Sequence, residues 1–226
     1  MPWRRLLSQG RLQGKYMTIS RKTSQSGSVM IEFAISMSIL IPLFFGMLLT
    51  GITAGRGIQA MQFTRDLGHM YGLGVDFSQT LAQNTLTRLA QGLDTSSTGS
   101  GVIIFSQIKL VAQSECDANS VTTGCRAGQY AFSHRLTLGN ASLRLSNFGT
   151  PDPSLVDPAG NIAPAAYLVN PAAAASNVGS GSSAMLPTVP PGSQVWVCES
   201  YFALPAMQFL NAFGIPINGV YSVTYF

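Results

Sequence analysis

The residues of this sequence best placed for chemistry stand at the start of a long apolar segment. Glu32 is the one carboxylate there, and it follows Ser28 by four positions. An ionised carboxylate at a membrane boundary is costly unless it has a partner. If the chain were cut after Gly27, Ser28 would carry a new α-amino group, and residues four apart share one helix face. The spacing therefore predicts that Glu32 pairs with a freed amine, in its own chain or in a neighbouring subunit.

The two histidines, His69 and His134, are the other candidates for chemistry. Asp66 precedes His69 by three positions, a spacing that more often gives a solvated helix contact than a catalytic pair. Neither histidine has a cysteine, histidine or carboxylate at metal-ligand spacing. The sequence contains no Gly-x-Ser-x-Gly, phosphate-binding glycine loop or His-Glu-x-x-His. We therefore expect no enzyme, with no catalytic residue, metal, cofactor or small-molecule substrate.

The three cysteines favour an exported chain. Cys116 and Cys125 are nine residues apart in a polar stretch, and no histidine lies near them. Two cysteines alone make a poor zinc site, so a short disulfide-closed loop at a hairpin tip is the favoured interpretation. Cys198 lies in an apolar segment and is expected to be a buried free thiol. Pairing of Cys198 with Cys116 or Cys125 is the alternative.

A basic tail and an apolar helix must position Glu32. Six of the 13 basic residues and no acidic residue lie at 1–27, whereas seven basic and nine acidic residues follow. The net charge of +4 thus belongs to the tail and indicates no nucleic-acid-binding domain. Positions 33–53 are 21 residues without a charge, about the length of a membrane-spanning helix. Basic residues before such a helix place the N-terminus in the cytoplasm.

These features predict a basic leader at 1–27, a transmembrane helix at 28–55 with a kink at Pro42, and an exported domain at 56–226. A secretory signal peptide has an apolar core of about 7–15 residues, shorter than this one, and gives Glu32 no role. A lipoprotein signal needs a cysteine just after the apolar segment, and the first cysteine is Cys116. An uncleaved signal anchor is the plainer alternative to a cleaved leader.

The segment GSVMIEFAISMSILIPLFFGMLL, with its basic leader, resembles the class III signal of type IV prepilins and is similar to TadE/TadG-like pseudopilins of Tad (Flp) pilus systems. The resemblance covers residues 21–55, and its long leader departs from the pattern. It implies cleavage by a prepilin peptidase between Gly27 and Ser28, a type IV pilin-like fold, and a minor structural role beside other pilins and pseudopilins. An exported adhesin or pilus-assembly scaffold is the alternative function. The matching residues are Ile31, Glu32, Phe33, Ala34, Pro42 and Gly46.

The exported part reads as α+β, with helices packed on an antiparallel sheet. Helical spacing at 56–71 extends the anchor as a stalk, and Gly72 and Gly74 end it. A second amphipathic helix is predicted at 77–91, capped by Asp76, with an apolar stripe that includes Leu81 and Leu89. A short helix is predicted at 205–213. Alternation and β-branched or aromatic content predict strands at 102–111, 130–138, 141–145, 194–204 and 220–226.

Residues 150–192 differ in composition from the rest of the chain. They carry eight prolines, many glycine, serine and alanine residues, and two charges, Asp152 and Asp157. We expect a long, mobile surface loop, either functional or without a partner. The expected location is the bacterial inner (cytoplasmic) membrane, with one span and an extracytoplasmic C-terminal domain that is carried in or on a pilus. The expected partners are the membrane, other pilins and the prepilin peptidase, with no nucleic acid.

Overall fold

The structure is a computed structural model that describes residues 26–90, 92–179, 184–204 and 218–226. The chain divides into two compact units, Met1–Met47 and Leu48–Phe226. Every described residue of the first unit is helical, whereas the second is an α+β domain. The α+β class, with a long apolar N-terminal helix and a four-stranded antiparallel sheet, is confirmed. The short helix predicted at 205–213 lies outside the described residues.

Helix α1 runs from Ser26 to Gly72 and stays helical through Pro42, so the predicted stalk at 56–71 is its last part. A left-handed Gly74 (φ 88°) ends the helix. The Gly74 N–H donates to the Tyr71 carbonyl at 2.9 Å, and the Val75 N–H donates to the Met70 carbonyl at 3.1 Å. These two bonds form a Schellman motif, which satisfies carbonyls that the helix end leaves without a partner.

The sheet of the second unit has four antiparallel strands in the order β2-β1-β3-β4. Phe105 of β1 faces Leu136 of β2 and Cys198 of β3, and Cys198 faces Thr224 of β4. A register shift between Gln107 and Ile108 marks a β-bulge in the β1–β2 pairing. The strands are β1 Gly101–Leu110, β2 Tyr130–Gly139, β3 Gln194–Ala203 and β4 Gly219–Tyr225.

The last turns of α1 and the short helix α2, Thr80–Leu89, cover one face of this sheet. Phe77 stacks on Phe105 with ring centroids 4.4 Å apart, and Phe63 of α1 meets Phe202 of β3 edge to face at 5.8 Å. Each such side chain contributes about 1.5–3 kcal/mol on full burial. The other buried members of this cluster are Ala60, Leu67, Tyr71, Leu86, Ala90, Leu93, Ile103 and Cys198.

The prediction for α2 is wrong in its start and in its buried face. The Asp76 carboxylate accepts hydrogen bonds from the Ser78 N–H and the Gln79 side-chain amide, and these bonds form a turn. The helix therefore begins at Thr80 and not at 77. Leu81, predicted to lie on the buried stripe, is 79% exposed, whereas Leu86 is 3% exposed. Ala82 and Ala90 lie with Leu86 on the side that packs in the core.

Several apolar side chains in the described part of 150–192 pack on the opposite face of the sheet, a buried contact that the prediction of a surface loop did not include. Asp152 and Asn170 each precede a proline and accept a hydrogen bond from the backbone N–H two residues on. Each begins a 3₁₀ helix, Pro153–Leu155 or Pro171–Ala173. A short helix, α4, spans Pro164–Tyr167. The side chains of the segment that this packing buries are Ile162, Tyr167, Leu168, Ala173 and Leu186.

The predicted strand at 141–145 is a turn in the structure. The Asn140 side chain accepts hydrogen bonds from the N–H and the hydroxyl of Ser142, and this local bonding competes with strand pairing. Leu145 is 74% exposed, so the segment buries no alternating face. A third helix, α3, spans Gln113–Ala118 between β1 and β2, and the sequence analysis did not predict it.

Candidate functional site

The first half of α1 exposes its apolar side chains on every side. Within Gly27–Gly72 the most apolar window has a mean hydropathy of 2.1, and none of it is buried. Among the described residues this is the one helix long and apolar enough to cross a membrane, by length and composition. The large side chains that it exposes are Val29, Met30, Ile31, Phe33, Ile35, Ile39, Leu40, Ile41, Leu43, Phe44, Phe45, Met47, Leu48 and Ile52.

The helix brings the predicted functional residues Ser28 and Glu32 together. The Ser28 hydroxyl donates to Oε1 of Glu32 at 3.4 Å, and both residues are exposed. Gly27 is also exposed, and a Cβ atom placed on it would meet nothing within 4 Å. Packing therefore does not require glycine at position 27. The three residues form a polar, accessible beginning to an otherwise apolar helix.

Hydroxyl groups within the apolar part of α1 bond to the helix itself. Ser38 donates to the Ile35 carbonyl and Thr53 donates to the Leu49 carbonyl, each at 2.7 Å. Such bonds spare a hydroxyl the cost of remaining unpaired in an apolar solvent. Glu32 differs from these residues, because an ionised carboxylate only accepts hydrogen bonds and cannot donate to a helix carbonyl. Ser28 supplies one donor, and an amine at the same position would supply a charged one.

Cys116 and Cys125 form a disulfide that closes the connection between β1 and β2. Cys116 lies in α3 with its side chain in the core, and Cys125 lies in the following loop. Cys198 is a buried free thiol in β3, facing the helix side of the sheet, so its alternative pairing does not occur in this structure. Burial, with the nearby Glu199 charge second, raises the pKa of the Cys198 thiol and keeps it protonated.

The two histidines lie apart and make different contacts. The ring of His69 is exposed on α1 and meets Phe226 edge to face at 5.7 Å. His134 in β2 is 3.0 Å from the Ala159 carbonyl through Nε2 and 2.7 Å from the Tyr71 hydroxyl through Nδ1. Because a carbonyl only accepts, Nε2 carries the proton and Nδ1 accepts from Tyr71. Burial lowers the pKa of His134, and burial also raises the pKa of Tyr71.

A buried ion pair that the sequence analysis did not predict joins β2 to β3. Arg135 and Glu199 are 7% and 1% exposed, and Nη1 of Arg135 lies 3.9 Å from Oε2 of Glu199. Glu199 also accepts from the Ser146 hydroxyl, from the Asn147 N–H at 2.9 Å and from the Tyr221 hydroxyl at 2.8 Å. Burial lowers the pKa of Arg135 to about 10, which leaves it charged at neutral pH.

Arg135 and Glu199 are far apart in the sequence, and no local pattern pairs them. Each residue sits in a strand whose pattern predicts only alternation. The remaining donors to Glu199 come from the segment after β2, through Ser146 and Asn147, and from β4, through Tyr221. Neither the strand pattern nor the spacing of charges connects these positions, because their proximity depends on β1 lying between β2 and β3. The one available signal is a charged residue within an apolar strand, which is rarely buried without a partner.

The described part of the chain thus defines an α+β protein with one helix long and apolar enough to cross a membrane. Within the described residues no group of three or more histidine, cysteine, aspartate or glutamate side chains is placed to hold a metal ion. No family model, curated protein or solved structure matches the chain.

Proposed function

We propose that this protein is a membrane-anchored pseudopilin, a minor structural subunit of a Tad-type or related type IV-like pilus. A prepilin peptidase processes it between Gly27 and Ser28, and the mature chain begins at the apolar helix. The single observation that carries the proposal is the placement of Glu32. It stands at the fifth position after an exposed Gly27, one helical turn from Ser28 and within its hydrogen-bonding reach.

Cleavage would change the partner available to Glu32. In the uncut chain the Ser28 backbone nitrogen is an amide, and the Ser28 hydroxyl donates at a long 3.4 Å. In the cut chain the same nitrogen becomes a cationic amine, which forms charge-assisted hydrogen bonds with a carboxylate. Such a pair stabilises Glu32 in an apolar surrounding, within one subunit or between two. The carboxylate therefore couples processing to assembly.

The apolar surface of α1 suits two successive environments. Lipid solvates its exposed side chains before assembly, and helices of neighbouring subunits cover them afterwards. The basic tail supports an N-terminus in the cytoplasm and a C-terminal domain outside the bacterial inner membrane. The disulfide fits an oxidising compartment. The partners are accordingly the membrane, other pilins or pseudopilins, and the peptidase.

Mass spectrometry of the mature N-terminus, from cells with and without the prepilin peptidase, tests this proposal. We expect a chain beginning at Ser28 in the first strain and the intact leader in the second. A Gly27→Leu variant should keep its leader in both strains, because a bulky side chain replaces the exposed glycine. Gly14→Leu, a change of the same size within the leader, should still be cut.

An intact leader in wild-type cells would overturn the processed pseudopilin. It would favour the second candidate, an uncleaved signal-anchored protein that acts as an adhesin or a scaffold for pilus assembly. The observation behind that candidate is the domain of Leu48–Phe226, whose two-sided packing and disulfide give it a core of its own.

A further inference from the structure

Three charged side chains meet at the loop-covered face of the sheet, where the segment after β2 crosses β3. Glu199 has its charge compensated by Arg135 and by three hydrogen-bond donors, as described above. Arg144 is the third charge. Its guanidinium lies 4.2 Å from the centre of the Tyr221 ring and 5.7 Å from that of Tyr201. The two rings hold the guanidinium in place by cation–π contact.

Arg144 has spare binding capacity. One amino group, Nη2, donates to Oδ1 of Asn147 at 3.2 Å. The Nε atom is buried and has no hydrogen-bond partner within the described ranges. In the same part of the chain, Arg144 forms no ion pair. A guanidinium has five N–H donors in a planar fork, and the described residues accept a hydrogen bond from one of those of Arg144.

A cavity of about 130 Å³ is lined in part by Arg144. Arg135 and Arg144 line it, together with the hydroxyl residues Thr137, Ser146 and Thr150. Thr150 and Thr137 are exposed, so the cavity opens to solvent. Its volume is below the roughly 300–1,000 Å³ of pockets for drug-sized ligands, and it suits a single small group. Apolar side chains, including that of Ile104, form the remaining wall.

We propose that this cavity binds a carboxylate that carries a short aliphatic body, with Arg144 as the residue that contacts the anion. Arg135 and Arg144 line the cavity, and Glu199 lies behind it as the partner of Arg135, which gives a net charge of +1. A monovalent carboxylate neutralises that charge, whereas a divalent phosphate leaves a surplus negative charge beside Glu199. Planar carboxylates also fit the guanidinium fork through two parallel hydrogen bonds. The proposal is independent of whether the leader is cleaved.

Nitrogen-15 spectra of the arginine Nε–H groups test the proposal on the full chain in uncharged detergent micelles. Sodium acetate and sodium propionate are titrated at constant ionic strength, with chloride as the balancing anion. The Arg144 signal is identified by its absence from the spectrum of Arg144→Lys. We expect a saturable shift of this signal, with propionate binding at least as tightly as acetate because of the apolar wall.

The variants separate a specific site from general anion attraction. Arg144→Lys keeps the charge and loses the planar fork, and it should weaken acetate binding about tenfold or more. Because this variant lacks the Arg144 signal, its binding is measured from other signals that shift with acetate. Arg88→Gln removes an exposed charge from α2 and should leave the affinity unchanged. Thr150→Val changes the cavity mouth without touching either arginine and should weaken binding less than Arg144→Lys does.

Three results would overturn the proposal. One is the absence of any saturable shift of the Arg144 signal with acetate or propionate in the folded wild-type chain. Another is equal affinity of Arg144→Lys and wild type. The third is tighter binding of inorganic phosphate than of acetate, which would assign the cavity to phosphate groups and reject the carboxylate.

Discussion

A Cβ atom placed on Gly68 of α1 would lie 2.3 Å from Cγ2 of Thr224 in β4. It would also lie 2.9 Å from Cε2 of Phe226 and 3.4 Å from Cβ of Cys198. The missing side chain at position 68 thus lets the helix backbone pack directly on the sheet. Glycine in a helix interior costs roughly 0.5–1 kcal/mol relative to alanine, so close packing is the reason this position tolerates it.

Gly68→Ala should lower the free energy of unfolding by about 1–3 kcal/mol, because the added methyl group overpacks the helix–sheet contact. Gly57→Ala, in the same helix, is the matched control, since its added Cβ would meet only Val220 at 3.9 Å. That change should be neutral or stabilising by up to about 1 kcal/mol. Denaturant unfolding of the full chain in micelles, followed by near-ultraviolet circular dichroism, measures both. Equal stability of the two variants would contradict the close approach.

Glu32→Ala should leave membrane insertion intact and impair assembly into pili. Removing a carboxylate makes the helix easier to insert, but in the proposed cut chain the amine at Ser28 would lose its partner. Carbonate extraction of membranes measures insertion, and electron microscopy with an antibody against the C-terminal domain counts labelled pili. Ser38→Ala in the same helix removes a hydroxyl that bonds only its own backbone, and it should assemble normally. Normal piliation by Glu32→Ala would reject the pairing role.

The melting temperature should fall between pH 7 and pH 5, in part because of His134. Burial lowers the pKa of His134 in the folded state below its ordinary value of 6.5. The folded chain then binds fewer protons than the unfolded chain. The contribution of His134 to the free energy of unfolding is therefore complete above pH 6.5 and is lost as the pH falls below that value. His134→Gln should flatten the profile between pH 5 and 7 relative to wild type.

His69→Gln is the control for that pH profile, because His69 is exposed on α1. Its melting profile should run parallel to that of the wild type over the same range. A full wild-type slope in His134→Gln, or loss of the slope in His69→Gln, would contradict a role for the buried His134 imidazole.

The cysteines should differ in reactivity in a way that mass spectrometry of maleimide-treated protein can count. We expect no label on the native oxidised chain, one on the unfolded oxidised chain and three after unfolding and reduction, because Cys198 is buried and the other two are paired. The double change Cys116→Ser and Cys125→Ser should lower the free energy of unfolding by about 2–3 kcal/mol. Labelling of Cys198 in the native state would show that β3 is open to solvent.

Local patterns predicted the elements but often not their buried sides. The strand at 130–138 is observed at Tyr130–Gly139, because alternation is a property of consecutive residues. The α2 stripe through Leu81 and Leu89 is equally periodic, yet the sheet contacts the stripe through Leu86. From the sequence alone, either stripe of this short helix could be the one that faces the sheet. The choice between them depends on the turn at Asp76 and on the surface opposite.

The described residues of 150–192 show that burial in irregular structure is also hard to predict from the sequence. Its prolines and small residues are typical of a mobile loop, and they do prevent long helices and strands. Apolar residues such as Leu168 nevertheless lie between them and bury on a sheet face that would otherwise be bare. These buried apolar residues do not recur at a helical or strand spacing, so hydrophobic periodicity does not identify them. The local signals in this segment are Asp152 and Asn170, each of which precedes a proline and caps a 3₁₀ helix.

Features that depend on neighbours along the chain could be predicted from the amino-acid sequence. These are the apolar length of α1, the basic tail before it, and the one-turn spacing of Ser28 and Glu32. Which faces are buried, and which distant charges meet as Arg135 and Glu199 do, depends on how the elements pack together. The physical reason is that burial and ion pairing depend on what packs opposite a residue, and distant parts of the chain supply that surface.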